Sequence, residues 1–408
     1  MSVYSAIVIG GGAAGFFTAI NIVENQPDAK VLIIEKSTKL LSKVKVSGGG
    51  RCNVTHFGLD LPELVKRYPR GKNFLKKAFH QFNTLDTEKW FGNHSVKLHA
   101  EKDGRMFPST NDSQTIIDCF LAAVNKLQIE IRINVAVESI VKEAEYFSLF
   151  TSKGEFRAKN VVLACGGFPK KEQFGWIEKL GLKINAPVPS LFTFNIPNNS
   201  LSKLMGLSVP NARVKIAGSK LVENGPLLIT HWGLSGPVVL RLSAWGAREL
   251  AEKNYTFSIG VNWLGEINEN ELRENWVDLR NQFAKQNIGK HNPWEIPNRL
   301  WLYFLETADI SLNSNWAELK SAQQNKLIQI LTNQSFEIKG KTTFKEEFVT
   351  CGGVDLQEID ANTMQSKKIE GLYFAGEIMD IDGITGGFNF QNAWTTGWIA
   401  AKNISNHI

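Results

Sequence analysis

Hydrophobic and polar positions along this chain fall into four regimes. Residues 4–9 form a short β-branched run that reads as a buried strand. Glycines follow, then helical spacing over 13–23, then a second strand over 30–34 that ends at Glu35. Residues 60–128 carry mostly helical spacing, interrupted at 98–108 by a stretch that reads as a hairpin turning at Asp103-Gly104. Residues 129–135 alternate as a strand, 137–142 and 146–151 extend a small sheet with a turn at Lys153-Gly154, and 160–169 is a buried strand ending in glycines. From about residue 185 the pattern turns to separate strands at 192–196, 212–217, 227–232 and 255–263. Asn224-Gly225 is a hairpin signal there, and an apolar helix begins near Pro237. Residues 269–333 are helical, with Trp276, Leu279 and Phe283, then Trp301, Phe304 and Leu305, at helical spacing. Ser321 and Gln324 have the spacing of a capping box ahead of Leu327. The last regime runs from 344 to 354, through a strand at 371–376 that delivers Glu377, to a helix containing Trp394 and Trp398.

The first regime carries chemistry. Gly10, Gly12 and Gly15 fit G-x-G-x-x-G between a strand and a helix, and Glu35 lies 20 positions after Gly15 (35 − 15). In that order Gly10 permits a tight turn, Gly12 lets backbone approach a pyrophosphate, and Gly15 allows close helix–strand packing. The helix start would meet the diphosphate and Glu35 a ribose. A tight βαβ turn without ligand is the alternative, and the complete order of elements argues against it.

Further along, Gly48, Gly49 and Gly50 precede Arg51, Cys52 and Asn53, a loop whose backbone can crowd a ligand while Arg51 offers donors to a phosphate or carboxylate. At the other end, a strand presents Glu377 and a glycine-fronted helix begins at Gly387, Phe388 and Asn389. Glu377 could bond a ribityl hydroxyl, and the amides of 387–389 could meet the charge developing at N1–C2=O of a reduced flavin. This pairing selects FAD over a nicotinamide cofactor. Gly166-Gly167 is followed by Phe168-Pro169 and not by a second G-x-x-G and helix, so a separate nicotinamide module is not expected.

Composition narrows the class. With 408 residues, 43% hydrophobic and 21% charged, the chain can bury two or three domain cores. The start lacks the basic region of a signal peptide, and no apolar run is long enough for a membrane span. Cys52, Cys119, Cys165 and Cys351 form no C-x-x-C pair and no metal spacing, which suits a reducing cytoplasm and excludes a redox dithiol. The net charge is +6, densest at Lys66, Arg67, Arg70, Lys72, Lys76 and Lys77. Without an accompanying aromatic motif this reads as a solvated helix face, and nucleic acid is not expected as a partner. Residues 190–345 read as an insertion. It comprises a β-barrel-like module (191–265 with 334–345) carrying a helical module (266–333), between the two parts of one domain, 1–190 and 346–408.

Gly10–Gly15 with Glu35, the stretch Ser47-Gly-Gly-Gly-Arg-Cys-Asn-Val-Thr55, Thr230-His-Trp-Gly-Leu-Ser-Gly-Pro237, and Tyr373-Phe-Ala-Gly-Glu377 with Thr385-Gly-Gly-Phe-Asn-Phe-Gln391 together resemble the BaiN-like bacterial flavoproteins over nearly the full length. That family is also described as NAD(P)/FAD-dependent oxidoreductases or aminoacetone-oxidase-like enzymes. The resemblance implies an α/β fold: a discontinuous Rossmann-like FAD domain of the glutathione-reductase type, interrupted by a β-barrel and a small helical domain. A bile-acid-linked member implies reduction of steroid C=C bonds. His56 departs from the family, which usually has Asn there. The cofactor-binding residues expected are Gly10, Gly12, Ala14, Gly15, Glu35, Lys36, Gly50, Arg51, Cys52, Asn53, Val135, Gly166, Gly376, Glu377, Gly387, Phe388 and Asn389.

Three functions compete: a flavin oxidoreductase acting on a small molecule, an FAD-containing RNA-modifying protein, and a non-catalytic flavin module. The first is preferred. Any NAD(P)H would be a transient donor sharing the substrate's cleft. Arg51 and His231 are the candidate catalytic groups, one for an anionic substrate group and one for a proton. A hydrogen-bonded structural histidine is the alternative for His231. Cys52 and Cys165 read as packing residues rather than nucleophiles. No metal ligand set and no Ser-His-Asp arrangement is visible.

Overall fold

The structure, a computed structural model, describes residues 3–342 and 349–408. The chain divides into two compact units, Met1–Ser190 with Phe344–Ile408, and Leu191–Thr343. The expected boundary at 345/346 lies outside the described residues.

The first unit is built on a parallel sheet. Val3–Ile9 pairs in parallel with Val31–Ile34 on one side and with Gly154–Leu163 on the other. Glu130–Arg132 and Leu372–Phe374 add parallel strands beyond them. Ala6, Ile7, Val8, Leu32, Ile33 and Val161–Leu163 are all without solvent exposure, as strands covered on both faces must be. The Gly154–Leu163 strand is long enough to serve two partners. Its first half pairs antiparallel with Phe147–Thr151, which in turn pairs with Val137–Lys142. The strand expected over 129–135 shrinks to Glu130–Arg132 because Asn134 adopts a left-handed φ of 56° and turns the chain back, so that the Val135 amide donates to Glu35 O.

Between the first two strands runs the helix Ala13–Asn25, and the last helix, Phe388–Ser405, packs against it. Their approach is close: a Cβ on Gly397 would lie 2.8 Å from Thr18 Oγ1. Trp394, fully buried, packs its ring at tilted and edge-on angles among Phe17, Phe91 and Phe120. Leu98–Ala100 and Arg105–Pro108 form the expected hairpin, with Thr55–His56 added on its free edge.

Arg70 departs from the expected solvated face. Its guanidinium grips the Asp382 carboxylate through Nε and Nη2, with Ser190 Oγ donating to the same carboxylate at 2.6 Å. Asp382 is fully buried and Arg70 only 13% exposed. Burial pushes the Asp382 carboxyl up, while the guanidinium and the hydroxyl pull it down.

The second unit holds a seven-stranded antiparallel sheet, whose edge strands are Gln334–Lys339 and Lys341–Thr342. These are consecutive in the chain, so the sheet must curl until its edges meet at Gly340. The hairpin expected at Asn224-Gly225 is instead part of the strand Val222–Ile229, and the turn falls at Gly218, with a φ of 70°. Gly225 serves another purpose there: a Cβ would lie 2.7 Å from Arg241 Nη2, which donates to Asn224 O. The helices Glu269–Gln282, Asn298–Thr307 and Ser321–Asn333 enclose Trp276, Trp294, Trp301 and Trp316. The last helix is capped one residue earlier than expected: Gln323 Oε1 accepts from Lys320 N, so Gln324 is not the box residue.

Breaking one half of a buried ion pair strands the other charge, at a cost of about 3–5 kcal/mol. Arg70→Met should therefore lower unfolding free energy by roughly that amount in denaturant titrations. Lys66→Met, in a surface pair whose lysine is 59% exposed, should change it by less than about 0.5 kcal/mol.

Candidate functional site

Two uncapped helix starts define the site. The Ala13–Asn25 helix opens at Gly12, which is extended, and no side chain caps the helix and no acid stands in its first turn. The glycines divide by role. A Cβ on Gly15 would lie 1.9 Å from Gly10 O, and one on Gly10 2.3 Å from Ala164 O, so both are packed against backbone. A Cβ on Gly12 would meet nothing within 4 Å. That is the geometry of a glycine kept bare for a ligand.

Glu35, at the end of Val31–Ile34, points back to this turn. Its Oε2 accepts from Gly11 N at 2.9 Å and its Oε1 from Ser37 N at 2.8 Å. The neighbouring Val135 is buried, and Lys36 lies over the Phe168 ring. Gly166, with a φ of 72°, has only Glu377 Oε2 near its Cβ direction, at 3.9 Å.

Glu377 sits beyond Leu372–Phe374. A Cβ on Gly376, just before it, would lie 2.8 Å from Ala14 Cβ, which brings this strand end directly over the first helix. The Glu377 carboxylate is held from two sides, by Lys43 Nζ at 2.6 Å and by Thr350 N at 2.8 Å. Neither partner is legible in the sequence. Lys43 is separated from Glu377 by 334 positions, and no spacing rule reaches that far. Thr350 Oγ1, beside the same carboxylate, is buried without a hydrogen-bond partner among the described residues.

The second helix start is Phe388–Ser405, again with no side-chain cap and no acid in its first turn. Gly387 has a φ of 88°, and a Cβ there would lie 2.6 Å from Thr55 O. The loop leading to Asn53 is unusual in its backbone. Gly48, Gly49, Gly50 and Cys52 all have positive φ, and Cβ atoms on Gly49 and Gly50 would meet nothing within 4 Å. Asn53, with its amide turned to satisfy its neighbours, accepts from Gly387 N at 3.0 Å and donates to Met106 O and Thr55 O. The Gly387 amide is thus engaged, and the amides that open the helix are those of Phe388 and Asn389. The Asn389 side chain closes the preceding loop by pairing with both N and O of Gly383. Gln391 is structural as well: fully buried, it accepts from Thr55 Oγ1 and Thr87 Oγ1 and donates to Thr395 Oγ1.

The two catalytic expectations are placed differently. Arg51 Nη1 pairs with Glu101 at 2.6 Å and its guanidinium stacks 4.0 Å from the Phe107 ring, so its fork is already engaged within the protein. His231 is exposed in the second unit, edge-on to Trp232 at 4.0 Å between ring centroids. Cys52 is fully buried, and that burial pushes its thiol up to about 12. Cys165 is likewise pushed up to about 12, chiefly by desolvation. Neither forms a thiolate at neutral pH.

Bare glycines, two helix starts open to negative charge and a carboxylate held between them fit an extended flavin dinucleotide. Gly12→Val should leave the fold intact, since its Cβ enters open space, but abolish flavin retention. Gly15→Val should unfold the protein. Circular dichroism together with the ratio of visible to ultraviolet absorbance distinguishes the two.

Comparison with known proteins agrees with this geometry. The model of the HI0933-like protein Rossmann domain family matches residues 4–403. The chain is 31% identical to the ribosomal RNA dihydrouridine synthase of Escherichia coli (strain K12), over 99% of this chain and 98% of that protein. It is 26% identical to the 3-dehydro-bile acid delta(4,6)-reductase of Clostridium scindens, over 97% of each. Its fold is similar to the crystal structure of 3-ketosteroid delta1-dehydrogenase from Sterolibacterium denitrificans, with a TM-score of 0.54 at 12% identity over the whole of both chains. The chain belongs to the HI0933-like Rossmann-domain family, the BaiN-like flavoproteins, and is an FAD-dependent oxidoreductase.

Proposed function

We propose that this enzyme reduces a carbon–carbon double bond conjugated to a carbonyl, and that the bond is C5=C6 of a uracil ring in ribosomal RNA. The observation that carries the reading is the 31% likeness, over 99% of the chain, to a ribosomal RNA dihydrouridine synthase. A bile-acid reductase at 26% identity supports the same bond chemistry on another scaffold. The sequence alone favours a small-molecule substrate; these relatives move the choice to RNA.

The residues have assigned tasks in this reading. Gly10, Gly12, Ala14 and Gly15 take the pyrophosphate at the first helix start. Glu35, Lys36, Val135 and Gly166 surround the adenosine half. Gly376 and Glu377 would hold the ribityl chain, with Lys43 and Thr350 N fixing the carboxylate, and Gly50 and Arg51 would line the ring's approach over the buried Cys52 and Asn53. FAD, when bound, would supply the hydride. Amides at Phe388 and Asn389, at the positive end of an 18-residue helix, stabilise negative charge at the ring end. The overall change is uridine plus NAD(P)H plus a proton to dihydrouridine plus NAD(P)⁺.

NAD(P)H enters this scheme as a transient donor. The parallel βαβ turn of the described residues is assigned to FAD, so a visiting nicotinamide has no helix start of its own and binds weakly, before the substrate. Anaerobic stopped-flow should show flavin reduction by NADH or NADPH at a rate that the RNA substrate does not raise. A saturable ternary complex of enzyme, pyridine nucleotide and RNA would refute the shared site.

For the substrate, nucleoside mass spectrometry of ribosomal RNA from a deletion strain should show a dihydrouridine lost, and restored by the cloned gene. Unchanged dihydrouridine, with turnover of a small conjugated enone by the pure enzyme, would instead establish the small-molecule reading.

A further inference from the structure

The basic stretch noted in the sequence acquires a definite place in the first unit. From Leu64 to Leu85 there is no acidic residue, across 22 positions (85 − 64 + 1) that include Lys66, Arg67, Arg70, Lys72, Lys76 and Lys77. The structure sorts these cations. Arg70 is buried on Asp382, while Lys66 and Arg67 face Glu63 at 2.5 and 3.9 Å. Lys72, Lys76 and Lys77 are exposed and make no ion pair among the described residues, while Leu75 and Ala78 of the same helix are buried. Lys76 and Lys77 complement the negative end of the Lys72–Ala78 helix, but Lys72 stands at its positive end. Lys72 and Lys76 are also helix-surface neighbours, where like charges repel. Beyond that helix-end term for Lys76 and Lys77, the three exposed lysines pair with no carboxylate among the described residues.

The same segment is wired to the start of the closing helix. Arg67 O accepts from Ile384 N at 2.9 Å, and Tyr68 Oη donates to Phe388 O at 2.8 Å. Arg70 and Asp382 form a backbone bridge, and a Cβ on Gly71 would lie 2.6 Å from Ile381 Cγ1. The His56 ring stacks on Phe388 at 5.1 Å, and Arg67 is near enough to His56 to help hold its imidazole below the usual range, after burial. Beside His56, Phe57 is 52% exposed. Phe388 is thus held from two segments, by the His56 ring and by the Tyr68 hydroxyl. The residue after His56 in the first is the exposed ring of Phe57, and the second continues within a few residues into the exposed Lys72, Lys76 and Lys77.

We propose that Lys72, Lys76 and Lys77, with Phe57 as a stacking platform, form the docking surface for the RNA backbone that presents the target base at the Phe388 helix start. This rests on the RNA reading above. Lysines on flexible stems suit a phosphate track, which needs charge but not planar recognition. The exposed Phe57 ring, one residue from the imidazole stacked on Phe388, suits a splayed base, the usual target in folded RNA. An acidic protein would use the lysines but have no call on the ring.

The test uses the flavin-loaded enzyme and ribosomal RNA purified from a strain deleted for the gene, in filter binding between about 50 and 200 mM salt. The triple variant Lys72→Glu, Lys76→Glu, Lys77→Glu should keep its flavin content and remain folded, its melting temperature falling by no more than about a few degrees from the two acids now at the helix end. Its affinity should fall by about tenfold or more, and the slope of log K against log salt should shrink by about 2–3, one phosphate contact per lysine. In turnover KM should rise with little change in kcat. Phe57→Ala should weaken binding without altering the slope, since a stacked ring neutralises no phosphate. Unchanged affinity and slope in the triple variant, while the wild type still forms dihydrouridine, would overturn the surface and leave the RNA reading intact. A wild type that neither binds nor modifies this RNA would overturn both. Competition by poly-L-glutamate as effective as that by RNA would assign the surface to an acidic protein and overturn the proposal.

Discussion

The close approach of two helices, near opposite ends of the chain, is the constraint from which the first unit follows. Ala13–Asn25 and Phe388–Ser405 pack so tightly that Gly397 must lack a side chain against Thr18, and Gly376 must lack one against Ala14. Gly15 lacks one against Gly10 O for the same reason on the sheet side. Dispersion and burial reward such contact only where backbone can approach backbone. The consequence is electrostatic. Two helix starts, each without a side-chain cap and without an acid in the first turn, are thereby fixed in the same unit, each able to stabilise negative charge on an extended anionic ligand.

Buried polar groups keep that arrangement from slipping. Trp394 Nε1 donates to Val54 O, Gln391 ties Thr55 to Thr87, and Asn53 accepts from Gly387 N. Three successive residues of the glycine-rich loop thus hold the closing helix by directional bonds. A purely apolar contact would let the helix rotate or slide by a fraction of a turn. A network with every member satisfied does not. Gly376 N, donating to Thr396 Oγ1, adds the strand end to the same assembly, and Glu377 is positioned through it.

The outer face of the unit obeys a different logic. Asp382 is without exposure and is compensated by Arg70, so a cation from the basic segment is spent internally to anchor the 381–384 loop. The remaining lysines lie along a helix whose apolar side is used for packing. Anchoring and charge presentation are combined in one stretch, which is why its distance from the Phe388 helix start is set by the fold and not by a flexible arm.

Local patterns were legible in the sequence wherever the physics is local. The β-branched runs, the glycine spacing, Glu35 and the hairpin at Asp103-Gly104 each depend on a few neighbouring dihedrals, and they stand where expected. The coarse family and the flavin were legible too, because several such local signals occur in a fixed order. Local signals failed where a tertiary neighbour competed. Gly225 is bare for Arg241 rather than for a turn, Asn134 ends a strand early, and Gln323 displaces Gln324 at a helix start. Pairings across the chain had no local signature at all: Lys43 on Glu377, Arg70 on Asp382, Asn389 closing on Gly383, Arg51 engaged by Glu101. Residue type and spacing specify what the backbone can do over a turn or a strand. Which side chain meets which carboxylate depends on how the sheet and helices bring distant segments together, and only the tertiary structure decided that.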